Sequence, residues 1–389
     1  MIVEHLNLVD FRNYAEAELD LRPGTNLLVG RNGQGKTNLA EAVAYLATLG
    51  SHRVTSDAPL VRDGKDAAFV RARLAHGSRT VTLELQINKQ GSNKARVSGN
   101  PVRANELPRY AQAVLFAPED LQIVRGDPSS RRRFADQLLV QRTPRMASII
   151  ADYDRTLKQR TTLLKSARAR GMKIEQLTTL EVWDDKLIAL GSQIIDARVR
   201  LARDLEDPLA RAYAAIAGED HDPGLGWALS IGGTDPEEDE ASEIAVGDTP
   251  AQFRAALLAK RSQELERGLT LVGPHRDDLV LRLRGLPVKG YASHGEGWSI
   301  VLSLRLASAE LLRQESPGGD PILILDDVFA ELDAARRARL AGVVADYEQV
   351  IVTAAVARDI PEALRCGAVR IDSGRILGSL AEHPIEESP

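Results

Sequence analysis

Apolar and polar residues change their repeat several times along this chain, and each repeat predicts a different element. The opening run MIVEHLNLVDF alternates as a strand with one buried face does, and the same two-residue repeat returns at 69–75 and 80–87. Other runs are short and wholly apolar: 27–29, 113–116, 322–325 and 349–352. Such runs suit strands buried on both faces, as in a largely parallel sheet. Helical spacing governs 38–48, 146–170, 181–205, 250–267 and 298–313, and 279–283 reads as one more strand. The expected fold is α/β with mixed sheets, in which residues 1–128 and 269–389 form one body. Residues 129–268 form an inserted helical lobe, too short in sustained heptads to be a long coiled-coil arm. An acidic stretch at 235–243, DPEEDEASE, lacks apolar periodicity and reads as a solvated loop.

One strand-to-helix junction carries chemistry. Gly30, Arg31, Asn32, Gly33, Gln34, Gly35, Lys36 and Thr37 spell GRNGQGKT between the apolar run 27–29 and the helical run 38–48. This is a phosphate-binding loop, the P-loop or Walker A pattern, and it predicts a site for ATP. Backbone N–H groups turned around one anion need residues without side chains, which Gly30, Gly33 and Gly35 supply. In that arrangement Lys36 reaches the β- and γ-phosphates and Thr37 offers its hydroxyl to Mg2+.

A second apolar strand, 322–325, ends in Asp326 and Asp327, as a Walker B strand does. Asp326 is expected to hold Mg2+, directly or through water, and Asp327 to orient or deprotonate the attacking water. An aspartate at 327 is one methylene shorter than the glutamate common at that place, so hydrolysis is expected to be slow, which suits a conformational switch. Ser293, His294, Gly295 and Glu296 precede the helical run 298–313 and resemble the signature loop of ABC-type ATPases. A hydroxyl, glycine N–H groups and a helix N-terminus make a second anion site, though the same four residues also make an ordinary helix cap. Glu331, Leu332 and Asp333 then fall where that family's D-loop crosses a dimer interface.

Composition narrows the setting. Hydrophobic residues make up 43% of 389 residues, Cys366 is the one cysteine, and no apolar run is long enough to span a bilayer. A cytoplasmic protein with neither disulfides, membrane span nor leader is therefore expected. The net charge is −5, yet the segment 142–170 is basic, with Arg142, Arg145, Arg155, Lys158, Arg160, Lys165, Arg168 and Arg170 against two aspartates. Arg131, Arg132 and Arg133 begin a further helix, where successive side chains fan around the axis and cannot all face one ligand. Arg131, Arg132, Arg133, Arg155, Lys158, Arg160 and Lys165 are the candidate DNA contacts; a solvated helix face is the alternative for both groups. With aromatics at 4%, backbone contacts to duplex are favoured over stacked single strands.

Seven stretches, in order along nearly the whole chain, resemble the RecF family of SMC-like ABC ATPases. They are GRNGQGKTNLAEAVAYL, SHR at 51–53, APEDLQIVRGDPSSRRRFAD, LKQRTTLLK, VGPHRDD, SHGEGWSIVLSLRLA and ILILDDVFAELD. The resemblance implies an ABC-type ATPase head with a helical lobe. It further implies an ATP-dependent homodimer that binds duplex DNA near single-strand/double-strand junctions, hydrolyses ATP slowly and helps load RecA with RecR and RecO. His275 and Arg276 gain weight only through this resemblance; otherwise they belong to a turn before a strand. Thr353 stands where ABC transporters carry a switch histidine, and Gln122 is only a candidate for the Q-loop. Two other readings are a transporter's energy-coupling subunit, which the absent histidine and basic lobe disfavour, and a clamp that binds ATP without hydrolysing it.

Overall fold

The computed structural model describes residues 1–173, 176–177, 179–219, 221–232, 248–316 and 318–379. The acidic stretch 235–243 lies outside the described residues. Two compact units, each discontinuous in sequence, make up the chain: Met1–Leu121, Arg211–Asp220 and Trp298–Pro389 in one, Gln122–Ala210 and His221–Gly297 in the other.

The first unit holds two six-stranded sheets. One is antiparallel, in the order Tyr14–Asp20, Ile2–Phe11, Ala67–His76, Arg79–Asn88, Lys94–Val97 and Asn100–Val102. Its strands keep the expected alternation; along Ala67–His76 buried and exposed positions take turns. The other follows the order Arg375–Ser379, Val369–Asp372, Gly24–Val29, Gln349–Ala354, Ile322–Asp326 and Ala113–Phe116. Its inner strands pair in parallel, and Leu27, Leu28, Leu323, Ile324, Val350 and Val352 are fully buried. Burial on both faces is what their uniformly apolar sequence requires. The hairpin Val369–Ser379 was not expected, because RIDSGRIL offers little apolar signal. It turns on Ser373 and Gly374, both at positive φ, as a tight two-residue hairpin demands.

Helix Lys36–Thr48 lies in the core shared by the two sheets. Every residue from Leu39 to Ala47 is buried, and the small side chains Ala40, Ala42, Ala44 and Ala47 let the sheets approach. Helix packing thus fixes the start of that helix, where the P-loop ends.

The second unit contains helices Pro128–Arg142, Met146–Ala169 and Thr249–Arg267 and a three-stranded sheet ordered Leu286–Pro287, Asp278–Leu283, Pro223–Ala228. Strand Pro223–Ala228 escaped the sequence reading because two glycines interrupt PGLGWA. Helix Leu180–Ala217 runs past the expected end at 205, through Pro208, since strong helix formers such as Leu209, Ala210 and Ala212 follow the proline.

Buried polar groups of this unit gather around VGPHRDD. Tyr153 donates to Nδ1 of His275 at 2.7 Å, and Nε2–H of His275 donates to the Thr270 carbonyl at 3.1 Å. Both ring nitrogens are therefore satisfied in the neutral tautomer. Burial, reinforced by Arg276, Arg132 and Arg160, pushes the imidazole down to about 3, against the bond to Thr270. Asp277 accepts from the backbone N–H and hydroxyl of Ser230, and burial raises its carboxyl to about 6.

These two groups oppose each other in acid. Below the ordinary histidine value near 6.5 the unfolded chain takes up a proton that folded His275 refuses, so stability falls by up to about 1.4 kcal/mol per pH unit. From about pH 6 down to the ordinary value of 3.8, folded Asp277 takes up the proton first and stability rises by a similar slope. The pair should leave stability nearly flat over that window. Asp277→Asn should unmask the histidine: urea unfolding at about pH 6 and about pH 4.5 is expected to show a larger acid loss in the variant, and an equal loss would contradict the assignment.

Candidate functional site

The P-loop leaves strand Gly24–Val29 and enters helix Lys36–Thr48 as the sequence predicts. Gly33 and Gly35 hold positive φ of 80° and 114°, so glycine is needed there for the backbone itself. The other reason for these glycines differs from the expected one. A Cβ on Gly30 would stand 2.2 Å from the Ile371 carbonyl oxygen, and one on Gly35 would stand 2.7 Å from the Tyr14 hydroxyl. Gly30 and Gly35 thus admit neighbouring protein, while Gly33 faces open space.

Residues from both ends of the chain clamp the loop. Asn13 donates to the Gln34 carbonyl at 3.2 Å, and Gly374 N–H donates to the same oxygen at 3.0 Å. The Ser373 hydroxyl and backbone N–H donate to Gln34 Oε1. Arg31 and Asn32 remain exposed. Lys36 is 3% exposed, and its Nζ donates to the carbonyls of Gly30 at 2.8 Å and Arg31 at 3.3 Å. Burial lowers its pKa, and Asp327 and Asp326 act the other way.

Strand Ile322–Asp326 delivers Asp326 to the start of that helix. Its Oδ1 accepts from the Thr37 hydroxyl at 3.0 Å and from the Thr353 hydroxyl at 2.7 Å. Thr353 in turn accepts from the backbone N–H of Asp327 at 2.9 Å. Asp327 takes a left-handed conformation with φ 51°. Burial raises its pKa, as does Asp326, with Lys36 opposing. A hydroxyl, a carboxylate and a buried ammonium thus meet beside a turn of backbone amides. This donor set suits a magnesium-bound polyphosphate, with Thr37 and Asp326 toward the cation and Lys36 toward the anion. Thr353, which stands where ABC transporters carry a histidine, ties Asp326 to the backbone of Asp327 through its hydroxyl.

Helix His294–Glu315 begins earlier than 298, so Gly295 and Glu296 sit in its first turn. Ser293 Oγ accepts from Glu296 N–H at 3.2 Å, and Glu296 Oε2 accepts from Ser293 N–H at 2.9 Å: a capping box. Glu296 also accepts from Arg284 at 3.0 Å, and these donors, the Ser293 N–H first, lower its pKa. Glu296 therefore leaves the expected phosphate-binding set, because a carboxylate held ionised repels phosphate. Ser293, exposed, and Gly295 keep their places at a helix N-terminus. Asp333 likewise caps helix Ala334–Val344 by accepting from Arg336 N–H at 2.9 Å. Gln122 is exposed on helix Leu121–Arg125.

The basic candidates divide. Arg131 is 3% exposed and forms a two-pronged pair with Asp278 at 2.6 and 2.7 Å. Arg160 is fully buried, donating to Asp184 at 2.7 Å, Glu264 at 2.6 Å and Thr270 at 3.0 Å. Both leave the DNA-binding set: their carboxylate partners stand far along the chain, and a buried guanidinium cannot reach a phosphate. Arg132 is partly buried and donates to the Asp277 carbonyl at 2.7 Å. Arg133, Arg155, Lys158 and Lys165 are exposed, the last three on one side of helix Met146–Ala169.

Comparison with known proteins agrees with these features. The family model described as RecF/RecN/SMC N terminal domain matches residues 2–375. The chain is 58% identical to the DNA replication and repair protein RecF of Clavibacter sepedonicus, with 97% of this chain and 95% of that protein covered. It belongs to the RecF family. A RecF of Leifsonia xyli subsp. xyli is 56% identical over 97% of this chain and 99% of its own length. Among solved structures, that of the recombination mediator protein RecF-ATP in the RecFOR pathway superposes with a TM-score of 0.85 at 26% identity, over 97% of each chain. An Smc head bound to a ScpA domain superposes with a TM-score of 0.52 at 14% identity, over 99% of this chain and 100% of its own, which speaks for fold alone. RecF-family membership and an SMC-like ABC ATPase fold are therefore what the chain shows. No described helix is long and apolar enough to cross a membrane.

The division of the basic residues has a direct test. Arg160→Leu leaves Asp184 and Glu264 short of their shared cation and should cost about 3–5 kcal/mol in denaturant unfolding. Lys158→Ala, at an exposed position, should stay within about 0.5 kcal/mol. Equal effects would contradict the burial assignment.

Proposed function

We propose that this RecF-family protein is an ATP-dependent DNA clamp of recombinational repair. On this reading ATP binding drives dimerisation on duplex DNA near single-strand gaps, slow hydrolysis ends it, and the bound protein helps load RecA with RecR and RecO. The observation that carries the reading is the meeting of Thr37 Oγ1 with Asp326 Oδ1 at 3.0 Å beside buried Lys36. Support comes from the family and from the relative solved with ATP.

The same reading gives each site residue a role. Gly30, Arg31, Asn32, Gly33, Gln34 and Gly35 form the turn of amides around the phosphates, and Lys36 neutralises the outer ones. Thr37 and Asp326 would hold Mg2+, which supplies Lewis-acid charge to the transferred phosphoryl group. Asp327, made more basic by burial, orients and deprotonates water. Ser293 and Gly295 at their helix N-terminus are offered to the γ-phosphate held by a second copy, which would make each P-loop half of a site. Arg133, Arg155, Lys158 and Lys165 are the contacts offered to the DNA backbone, with Arg132 beside them.

Sedimentation with ATP, ADP and no nucleotide tests the switch. Dimers should appear with ATP alone, and duplex binding should rise with them and weaken steeply with salt. Ser293→Arg should abolish the ATP-dependent dimer. Ser293→Ala, which loses the hydroxyl and its cap, about 1 kcal/mol of stability, but adds no bulk at the helix N-terminus, should weaken the dimer less than Ser293→Arg. Undiminished dimers in Ser293→Arg would remove the shared-site model, and no response of wild type to ATP would remove the switch.

A further inference from the structure

Beside the P-loop lies one side chain that the roles above leave unused. His52 follows helix Lys36–Thr48, and its side chain is nine-tenths buried with Nε2 3.8 Å from Asp326 Oδ2. Neither Nδ1 nor Nε2 has a hydrogen-bond partner among the described residues. Buried polar atoms are normally paired, so an imidazole with both nitrogens open is one that lacks something.

His52 is not loosely placed. Ser51 Oγ accepts from the backbone N–H groups of Arg53 at 3.0 Å and Val54 at 3.1 Å. The same hydroxyl donates to Glu41, which is 1% exposed and is gripped by Arg12 at 2.8 and 2.7 Å. A tight turn anchored in the core therefore presents His52 to Asp326. Oδ1 of Asp326 already accepts from two hydroxyls, whereas Oδ2 faces His52 across a gap that is about 1 Å too long for a hydrogen bond.

We propose that His52 is a positioning residue for Asp326: with a divalent cation and nucleotide bound, its Nε2–H donates to Asp326 Oδ2 and fixes the carboxylate toward the cation. The proposal rests on the magnesium–nucleotide reading of this site. Metal-binding carboxylates commonly depend on such outer donors, whose loss weakens the metal about 10–100-fold. His52 faces Oδ2 of Asp326, and Thr353 is bonded to Oδ1 of the same carboxylate.

The test uses the full chain with a non-hydrolysable ATP analogue and Mn2+, whose binding is read by electron paramagnetic resonance. His52→Leu should weaken Mn2+ by about tenfold or more and leave the affinity for the analogue in EDTA unchanged. His52→Gln, whose amide can reach as Nε2 does, should stay within about threefold of wild type. Because leucine replaces an unpartnered buried ring with hydrocarbon, the melting temperature of His52→Leu should be no lower than that of wild type. Wild-type Mn2+ affinity in His52→Leu, a loss in His52→Gln as large as in His52→Leu, or a clear drop in melting temperature would each overturn the proposal. Asp326→Asn separates the two levels: if it too binds Mn2+ as wild type does, the metal-site reading itself fails.

Discussion

One carboxylate oxygen joins the parts of the candidate site. Asp326 Oδ1 accepts from Thr37, at the start of the P-loop helix, and from Thr353, on the next parallel strand. Three elements distant in sequence are thereby held at one end of the sheet, where the carboxyl ends of parallel strands meet ligands. Helix Lys36–Thr48, packed in the core of its unit, fixes one hydroxyl, and strand Gln349–Ala354, buried throughout, fixes the other. Their rigidity is what lets a single oxygen serve as a reference point.

The same constraint explains why the loop is held so firmly. Gln34 is bound by Asn13 and by the Ser373–Gly374 turn, and Gly30 has no room for a side chain beside Ile371. Preorganised amides need not be ordered when an anion arrives, which favours binding. Lys36 fits this picture, since its ammonium rests on two loop carbonyls in place of phosphate oxygens.

Much of this was legible in the chain because the signals were local. Uniform apolar runs marked the buried strands, and GRNGQGKT and ILILDD marked their ends. What escaped was decided by partners remote in sequence. Arg131 and Arg160 read as part of a basic surface because nothing nearby announces Asp278 or Glu264. Thr353 read as a missing histidine because a hydroxyl's role depends on the carboxylate opposite. His52 carried no signal beyond its place in SHR. The serine of SHGE, by contrast, admitted both a cap and an anion site, and the capping box occupies it here. Strand Val369–Asp372, too short and polar to announce itself, supplies the wall behind Gly30.

If Thr37 and Asp326 form a preformed magnesium–nucleotide site, Mg2+ and nucleotide bind there together. Calorimetric titration of the protein with a non-hydrolysable ATP analogue, in Mg2+ and in EDTA, tests it most directly. Mg2+ should tighten binding in wild type, and Asp326→Asn, folded as wild type by circular dichroism, should lose that tightening. Equal affinities for wild type with and without Mg2+, or an undiminished Mg2+ effect in Asp326→Asn, would contradict it.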